Sequence, residues 1–188
     1  DPPNLVAFED RDGDGRAEER NVILTGFGHA DNGSLHGLVF GPDGFLYMTM
    51  GRPDGYRLED QNGTTLAGKS GALIRCRPDG TNPEVVCRGF VNLVELVFTP
   101  QGEIIGTDNF FQEPAGGLRD AIVDLAPGGL YPLSLQDEGT PQPMTGEPLP
   151  AISLFPAVAP SGLVRYEGDD RNDAFHGHLF SAQHNSRK

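Results

Sequence analysis

The chain has 188 residues, and its composition is that of a turn-rich β protein. It contains 26 glycines and 16 prolines, a share that stays below the roughly 25–30% typical of low-complexity disorder. Lys+Arg total 14 and Asp+Glu total 27, so the net charge is −13. This acidic balance leaves no basic surface for phosphates, which excludes nucleic acid and disfavours anionic membranes as partners. No apolar run approaches the about 20 residues of a membrane-spanning helix.

Two kinds of hairpin recur along the chain at intervals of roughly sixty residues, a period typical of propellers and other repeat folds. The first kind ends in Gly-Phe and is formed by residues 5–8 and 21–24 with Gly26-Phe27, and again by residues 72–75 and 84–87 with Gly89-Phe90. The second kind joins residues 37–40 to 46–49 and residues 95–98 to 104–107, with a looser copy at residues 162–166 and 178–181. Asp-Gly turns between such β-rich runs are typical of hairpins.

Two hairpins per period make four strands, and repeated four-stranded units are the blades of a β-propeller. We therefore predict an all-β fold, a partial β-propeller of about three four-stranded blades, with inner strands near residues 38–40, 96–98 and 163–166. Residues 1–188 are interpreted as part of a single propeller domain, with approximate repeats at 1–50, 51–109 and 110–188. Because propellers need about four to eight blades to close, we expect the remaining blades in a longer chain. The alternative is a small open array of three sheets.

An Asp-rich turn near the start of the chain is typical of a calcium loop. Its carboxylates alternate at Asp10, Asp12 and Asp14, and an acidic residue follows at Glu18. Together with the carbonyl oxygen of Arg16, these groups are suitable ligands for calcium, which binds oxygen atoms. The alternative is an unligated turn in which the Asp side chains bond their own backbone. A calcium ion bound here is expected to be structural rather than catalytic.

His29 and His36 flank a loop rich in Gly and Asn that leads into an inner hairpin. Loops that enter inner strands line the channel face of a propeller, where a histidine can act as a general base near neutral pH. For either histidine alone, the alternative is a loop side chain bonded to the backbone. The five histidines of the chain lack the spacing of a zinc site.

A second polar segment ends the inner hairpin that includes residues 104–107. Asp108 and Asn109 come next, and a glycine-rich stretch follows over residues 112–120. A strand that ends in Asp-Asn and opens into a glycine loop can present carboxylate and carbonyl oxygens to a cation or a polar ligand. The alternative is a capped turn without a ligand.

Cys76 and Cys87 flank the turn sequence Pro-Asp-Gly-Thr-Asn at residues 78–82. In a hairpin centred on that turn the two side chains can face each other, and an oxidising compartment would then permit a disulfide. The alternative is a pair of buried thiols.

Several motifs occur in an order that resembles a known family. They are residues 41–47, the sequence Gly89-Phe90-Val91-Asn92, the sequence Thr107-Asp108-Asn109, the sequence Pro160-Ser161-Gly162-Leu163 and the closing residues 176–185. This set resembles the glucose/sorbosone dehydrogenase family, and it is still more similar to the PVC-type membrane-bound dehydrogenases. Members of the family are six-bladed propellers that use pyrroloquinoline quinone and calcium. The resemblance covers nearly the whole chain.

The resemblance also implies roles for particular residues. A histidine before the first inner hairpin, His36 or His29, matches the catalytic base of the family. Asn92 matches an active-site asparagine, but Val91 stands where the family has an arginine, so the charge and bidentate hydrogen bonds expected at the quinone are missing. The implied cofactor-binding residues are Glu113 and Pro114, whose backbone oxygens match those that hold the cofactor's calcium, together with Asp108, Asn109 and Asp120.

Two functions follow from these observations. In the first, the chain is part of a sugar or alcohol dehydrogenase, in which a histidine takes a hydroxyl proton while hydride passes to calcium-bound quinone. In the second, it is part of a catalytically inactive propeller that binds carbohydrate or protein ligands at its channel mouth. Val91 favours the second function, whereas the ordered motifs favour the first. The resemblance further implies a periplasmic or extracytoplasmic location.

Overall fold

The computed structural model describes residues 3–28, 35–52, 55–112, 117–133, 145–168 and 174–184. These residues form fourteen β-strands in four antiparallel sheets, with no helix among them. Within the same ranges, no helix is long and apolar enough to cross a bilayer. The predicted all-β fold is confirmed.

Two of the sheets contain strands that are not consecutive in the chain. Sheet A has the order β1 (Asn4–Glu9), β2 (Glu19–Phe27), β5 (Tyr56–Glu59) and β6 (Thr65–Gly68). Sheet B has the order β3 (Leu35–Phe40), β4 (Leu46–Met50), β7 (Gly71–Cys76) and β8 (Glu84–Phe90). The β5–β6 hairpin is thus inserted between two strands of sheet B and extends sheet A beyond β2. The sequence motifs do not predict this hairpin.

The other two sheets follow chain order. Sheet C consists of β9 (Asn92–Phe98), β10 (Ile104–Gln112), β11 (Leu118–Asp124) and β12 (Ser153–Phe155). Sheet D consists of β13 (Pro160–Arg165) and β14 (Leu179–Gln183). The repeated motifs predict one hairpin in each of sheets A, C and D and both hairpins of sheet B, but not β5–β6, β11 or β12. All neighbouring strands within the sheets are antiparallel.

The predicted inner strands are the first strands of sheets B, C and D. β9 lies beside both β3 and β13, so the three strands form adjacent inner edges from which their sheets extend outward. The sheets do not close into a barrel, and the arrangement is that of a partial propeller.

Hydrophobic side chains fill the spaces between neighbouring sheets. Between sheets A and B the buried residues include Leu24, Phe27, Met48, Leu58 and Ile74. Between sheets B and C they include Leu73, Phe90, Leu96, Val123 and Tyr131. Because sheet B is covered on both faces, β4 is buried along its whole length rather than at alternate residues.

The recurring Gly-Phe pair marks the place where a strand closely approaches another backbone segment. Gly26 in β2 and Gly89 in β8 have φ angles of 100° and 105°. A Cβ atom at Gly26 would overlap the carbonyl oxygen of Arg57, and one at Gly89 would overlap that of Tyr131. Only glycine permits both this backbone conformation and this close approach. The phenylalanine that follows each glycine is buried, so the pair joins the end of its strand to the core.

The two cysteines are buried thiols, and the disulfide alternative is wrong. Cys87 in β8 lies opposite Leu73 in β7, whereas Cys76 lies three residues further along β7. Residues separated by an odd number of positions point to opposite faces of a strand. Cys76 accordingly packs between sheets A and B, and Cys87 packs between sheets B and C. Both are free cysteines, and burial raises the pKa of the Cys76 thiol to about 11.

The close approach at Gly89 predicts a large stability loss for Gly89→Ala. The new methyl group meets the Tyr131 backbone and also requires a positive φ angle, so we expect the free energy of unfolding to fall by about 3 kcal/mol or more. Gly102→Ala is the matched control, because Gly102 has a φ angle of 89° but open space around it. We expect this control to lose only about 1 kcal/mol. Urea unfolding of both variants measures the difference, and equal losses would contradict the packing role of Gly89.

Candidate functional site

The polar residues predicted beside the inner hairpins meet at one end of the inner strands. His36 is the second residue of β3, Asn92 is the first residue of β9, and Asp108 and Asn109 lie in β10. Asn92 is paired with Asn109. A bridge from Gly51, just after β4, to Asn92 joins sheet B to this end of sheet C. We call the group formed by His36, Asn92, Asp108 and Asn109 the polar rim.

His36 is bonded to Asn92 across the boundary between β3 and β9. Its Nε2 lies 2.9 Å from Asn92 Oδ1. Because a carbonyl oxygen only accepts hydrogen bonds, Nε2 carries the proton and Nδ1 carries the basic lone pair. Burial lowers the pKa of His36 below its ordinary value of 6.5, and the bond to Asn92 opposes this shift only in part. The imidazole is therefore neutral at pH 7 and can accept a proton.

Asp108 is completely buried. Its Oδ1 accepts a hydrogen bond of 2.9 Å from the backbone amide of Asn92, whereas Oδ2 has no hydrogen-bond partner among the described residues. Burial raises the pKa of Asp108 to about 8, although backbone amides at the carboxylate act in the opposite direction. The Oδ1 atom of Asn109 is also buried without a partner in the described structure. Two oxygen acceptors on consecutive residues therefore lack donors.

These two oxygens restrict what the polar rim can bind. An unsatisfied buried acceptor costs about 1–3 kcal/mol unless a ligand, an ion or a proton satisfies it. Carboxylate and amide oxygens are the ligands that calcium prefers. A protonated Asp108 can instead donate a hydrogen bond from Oδ2. The chemistry of this donor set fits a hard cation or the hydroxyl groups of a polar ligand.

Asp120 holds the backbone around the polar rim. Its Oδ1 accepts a hydrogen bond of 3.0 Å from the amide of Phe110, and its Oδ2 accepts two bonds of 2.6 Å from the amides of Val158 and Ala159. The side chain is 2% exposed. Asp120 thus joins β10, β11 and the segment before β13, and its role in cofactor binding stays a prediction.

Two further polar residues near the rim are missed by sequence reasoning. Thr49 Oγ1 accepts a hydrogen bond of 2.8 Å from the Gly37 amide and donates one of 2.6 Å to the Val94 carbonyl oxygen. The carboxylate of Glu95 lies beside Gly37, 3.1 Å from where a Cβ atom would be, and burial raises its pKa. The one sequence signal for either residue is a polar side chain within an otherwise apolar strand.

Three predicted site residues lie outside the described residues. They are His29, Glu113 and Pro114. The roles implied for them stay predictions.

The Asp-rich turn lies away from the polar rim, between β1 and β2. Its four carboxylates, those of Asp10, Asp12, Asp14 and Glu18, are exposed, and each offers an oxygen within 4.8 Å of the others. Two oxygens of a single calcium ion can be separated by up to about this distance, because calcium–oxygen bonds are about 2.3–2.6 Å long. The arrangement is therefore compatible with one shared ion.

The same turn also forms the hydrogen bonds expected of an unligated turn. Asp10 accepts from the amides of Gly13 and Gly15, at 2.7 and 2.9 Å. Asp14 accepts from the amide of Arg16 at 2.8 Å. The guanidinium of Arg11 instead pairs with two glutamates outside the cluster, Glu9 and Glu19. Both predicted forms of the turn remain compatible with this geometry.

Comparison with protein families matches residues 1–127 to a domain of unknown function, DUF7133. The chain belongs to the DUF7133 family. The matched DUF7133 segment contains the Asp-rich turn, sheet B and the whole polar rim, and it ends just after β11. No curated protein is significantly similar to the chain.

The His36–Asn92 bond in this DUF7133 domain predicts a measurable tautomer and pKa. We expect the proton on Nε2 and a His36 pKa below 6.5, and Asn92→Ala should lower that pKa further because the bond to Asn92 raises it. Long-range ¹H–¹⁵N NMR titration measures both, with the signal assigned by its loss in His36→Gln. His176, bonded to the carbonyl oxygen of Gly168, is the internal reference, and its ¹⁵N chemical shifts at a fixed pH should be the same in Asn92→Ala as in the unchanged protein.

The lowered pKa of His36 also makes the free energy of unfolding depend on pH. Below pH 6.5 the unfolded chain binds a proton at His36 more readily than the folded chain, so this residue makes stability fall as the pH falls through 6.5. His36→Gln should lack that part of the pH dependence. A proton on Nδ1 would contradict the hydrogen bond that we describe, and a His36 pKa at or above 6.5 would contradict the larger effect of burial.

Proposed function

We propose that this chain is part of a quinoprotein-like dehydrogenase propeller that oxidises a hydroxyl group of a sugar or alcohol. The observation that carries the proposal is the neutral imidazole of His36, oriented by Asn92 through Nε2. A general base needs a free lone pair, a pKa near the working pH and a fixed orientation. Nδ1 of His36 meets these requirements. The family resemblance supplies the dehydrogenase chemistry, and a location outside the cytoplasm is proposed with it.

The polar rim is chemically suited to part of the proposed cofactor set. Asp108 Oδ2 and Asn109 Oδ1 are buried oxygens without partners, and they suit a calcium ion. The quinone would lack a cation from residue 91, because Val91 is apolar. The backbone of Arg52 lies at this position, with its amide 2.9 Å from the carbonyl oxygen of Val91. Because their buried oxygens lack partners among the described residues, Asp108 and Asn109 are the residues that we propose to hold calcium.

The reaction divides between the cofactor and the residues of the chain. A bound pyrroloquinoline quinone would supply the hydride acceptor for the carbon that bears the reacting hydroxyl group. His36 Nδ1 accepts the proton of that hydroxyl group, and Asn92 keeps the imidazole in the tautomer with a proton on Nε2. Asp108 Oδ1 accepts a hydrogen bond from the amide of Asn92 and so fixes the backbone that carries the Asn92 side chain. The substrate leaves as a carbonyl compound, two electrons and two protons poorer.

A second function is favoured by one specific feature. Val91 stands where the glucose/sorbosone dehydrogenase family has an arginine that contacts the quinone. A propeller without that contact can still bind sugars through the rim oxygens. The alternative is then a catalytically inactive propeller that binds carbohydrate or protein ligands at its channel mouth. Quinone binding separates the two functions.

The dehydrogenase proposal predicts quinone-dependent activity that requires His36. The full-length protein is incubated with calcium and pyrroloquinoline quinone, and dye reduction is measured with aldoses and alcohols. We expect His36→Gln to lower the rate about 100-fold or more while quinone affinity stays within twofold, because the change removes proton transfer rather than binding. His176→Gln, at an exposed histidine outside the rim, is the matched control and should keep full activity. No quinone binding at micromolar concentration would reject the dehydrogenase and leave the binding propeller.

We also propose that the Asp-rich turn binds a structural calcium ion through Asp10, Asp12, Asp14 and Glu18. The support is the convergence of four carboxylate oxygens within 4.8 Å, which places several negative charges together. The carbonyl oxygen of Arg16 is the fifth proposed ligand.

The calcium turn predicts a stabilisation that depends on the ion. At a calcium concentration of about 100 times the dissociation constant, binding adds about 2.7 kcal/mol to the free energy of unfolding. Asp12→Ala should therefore lower the melting temperature in calcium but have little effect in chelator. Glu103→Gln, in an exposed turn of sheet C, is the control and should behave alike in both conditions. A loss from Asp12→Ala that is the same with and without calcium would show an unligated turn.

A further inference from the structure

The two inner strands that carry His36 and Asn92 each contain a β-bulge close to that residue. The register between β3 and β4 shifts so that His36 and Gly37 of β3 both lie opposite Thr49 of β4. The register between β9 and β10 shifts as well, and it skips Val94 of β9. Bulges are frequent beside functional sites, where they redirect a side chain and leave backbone groups outside the ladder.

The side chain of Thr49 bonds one backbone group from each bulge. Its Oγ1 accepts a hydrogen bond of 2.8 Å from the Gly37 amide and donates one of 2.6 Å to the Val94 carbonyl oxygen. The direction of both bonds is fixed, because an amide only donates and a carbonyl oxygen only accepts. Thr49 is 0% exposed, so bulk solvent does not compete for either bond.

Gly37 allows β3 to approach β9 closely at this link. A Cβ atom at Gly37 would lie 3.0 Å from the carbonyl oxygen of Val94 and 3.2 Å from Oγ1 of Thr49, so a side chain here would crowd both groups. β3 and β9 belong to different sheets and share no backbone ladder. The Thr49 hydroxyl therefore provides a hydrogen-bonded link between the two strands that backbone pairing does not.

This link lies beside the bond between His36 and Asn92. Gly37 follows His36 in β3, and Val94 is two residues from Asn92 in β9. The distance of 2.9 Å between His36 Nε2 and Asn92 Oδ1 therefore depends on the separation of the two backbones that Thr49 joins. Hydrogen bonds weaken steeply when their distance and angle depart from the preferred range. A group that fixes the separation of the backbones also preserves the bond between the side chains.

We propose that Thr49 is a positioning residue, whose hydroxyl holds the β3 and β9 bulges at the separation that keeps His36 bonded to Asn92. Its hydroxyl bonds two backbone groups and acts through Asn92, which keeps the basic lone pair of His36 on Nδ1. The inference rests on the proposed function, in which Nδ1 accepts the hydroxyl proton of the substrate. It extends the catalytic arrangement to a third strand, β4.

The test separates the hydroxyl of Thr49 from its packing. Thr49→Val keeps nearly the same volume but removes the hydroxyl, whereas Thr49→Ser keeps the hydroxyl and removes a methyl group. The pKa of His36 is measured by ¹⁵N NMR titration of the full-length protein. We expect Thr49→Val to lower the His36 pKa toward its value in Asn92→Ala, because the bond to Asn92 raises it. Thr49→Ser should leave the His36 pKa unchanged, although it should unfold at a lower urea concentration.

A double-mutant cycle tests whether Thr49 acts through Asn92. In the Asn92→Ala background, Thr49→Val should not lower the His36 pKa further, because no bond remains to be weakened. A general loosening of the sheets would instead admit water to His36 and raise its pKa in both backgrounds, since burial is what lowers that pKa.

Thr81→Val is the matched control for the loss of a buried hydroxyl group. Thr81 is 7% exposed and lies in the turn between β7 and β8, where its Oγ1 donates a hydrogen bond of 2.7 Å to Asp79 Oδ1. This variant should unfold at a lower urea concentration but leave the His36 pKa unchanged.

The quinone assay adds a kinetic measurement. With calcium and pyrroloquinoline quinone bound, we expect Thr49→Val to lower kcat about tenfold while KM and quinone affinity stay within twofold, because the base is misplaced but the binding groups remain. Thr49→Ser and Thr81→Val should keep kcat within twofold of the unchanged protein.

Gly37→Ala perturbs the same link without changing Thr49, because its methyl group crowds Oγ1 of Thr49 and the carbonyl oxygen of Val94. It should also lower the His36 pKa, and this result decides the matter if Thr49→Val does not fold. The inference is overturned if Gly37→Ala or a folded Thr49→Val leaves the His36 pKa unchanged or raises it. It is also overturned if Thr49→Ser behaves like Thr49→Val, or if the shift persists in Asn92→Ala.

The positioning role and the dehydrogenase can fail separately. If quinone does not bind but Thr49→Val lowers the His36 pKa only when Asn92 is present, the dehydrogenase fails and Thr49 still positions His36. If His36→Gln abolishes quinone-dependent activity while Thr49→Val keeps both the His36 pKa and kcat, the positioning role fails alone.

Discussion

The geometry of the polar rim depends on the buried carboxylate of Asp120. Its two oxygens accept three backbone amides, from the bulge in β10 and from the segment that leads into β13. The amides of Phe110 and Ala159 both belong to residues with positive φ angles, a conformation that needs such support in residues other than glycine. Through these bonds one side chain holds the bulge open and connects sheets C and D. In this bulge Asn109 and Phe110 lie opposite Asp120, so Asp108 and Phe111 are both buried although they are three positions apart.

A second set of hydrogen bonds holds sheet B against sheet C at the same end. Thr49 links the amide of Gly37 to the carbonyl oxygen of Val94, and His36 reaches Asn92 nearby. These bonds cross the boundary between two sheets, whereas most backbone bonds of the fold stay within one sheet. Polar contacts between packed sheets fix the relative position of side chains more narrowly than hydrophobic contacts do, because a hydrogen bond requires a particular distance and direction.

The polar rim is packed differently from the rest of the fold. Elsewhere the sheets meet through apolar side chains, and the Gly-Phe pairs join the ends of β2 and β8 to the core at Gly26 and Gly89. At the rim, Oδ2 of the fully buried Asp108 and Oδ1 of Asn109 have no hydrogen-bond partner among the described residues, and Phe110 has a positive φ angle. Unsatisfied and strained groups lower the stability of a domain, so their concentration at one place is typical of a binding site rather than of a core.

The sequence by itself determined the hairpins, the all-β fold and the identity of the inner strands, because turn chemistry and the repeat of β-rich runs are local properties. It also identified His36, Asn92 and Asp108 as candidates. Only the tertiary structure decided that His36 and Asn92, 56 residues apart, are bonded, that Cys76 and Cys87 lie on opposite faces, and that β5–β6 joins sheet A. The physical reason is that such contacts depend on how sheets pack and where a bulge shifts the register. A one-residue shift exchanges the faces of a strand, and no local motif encodes it.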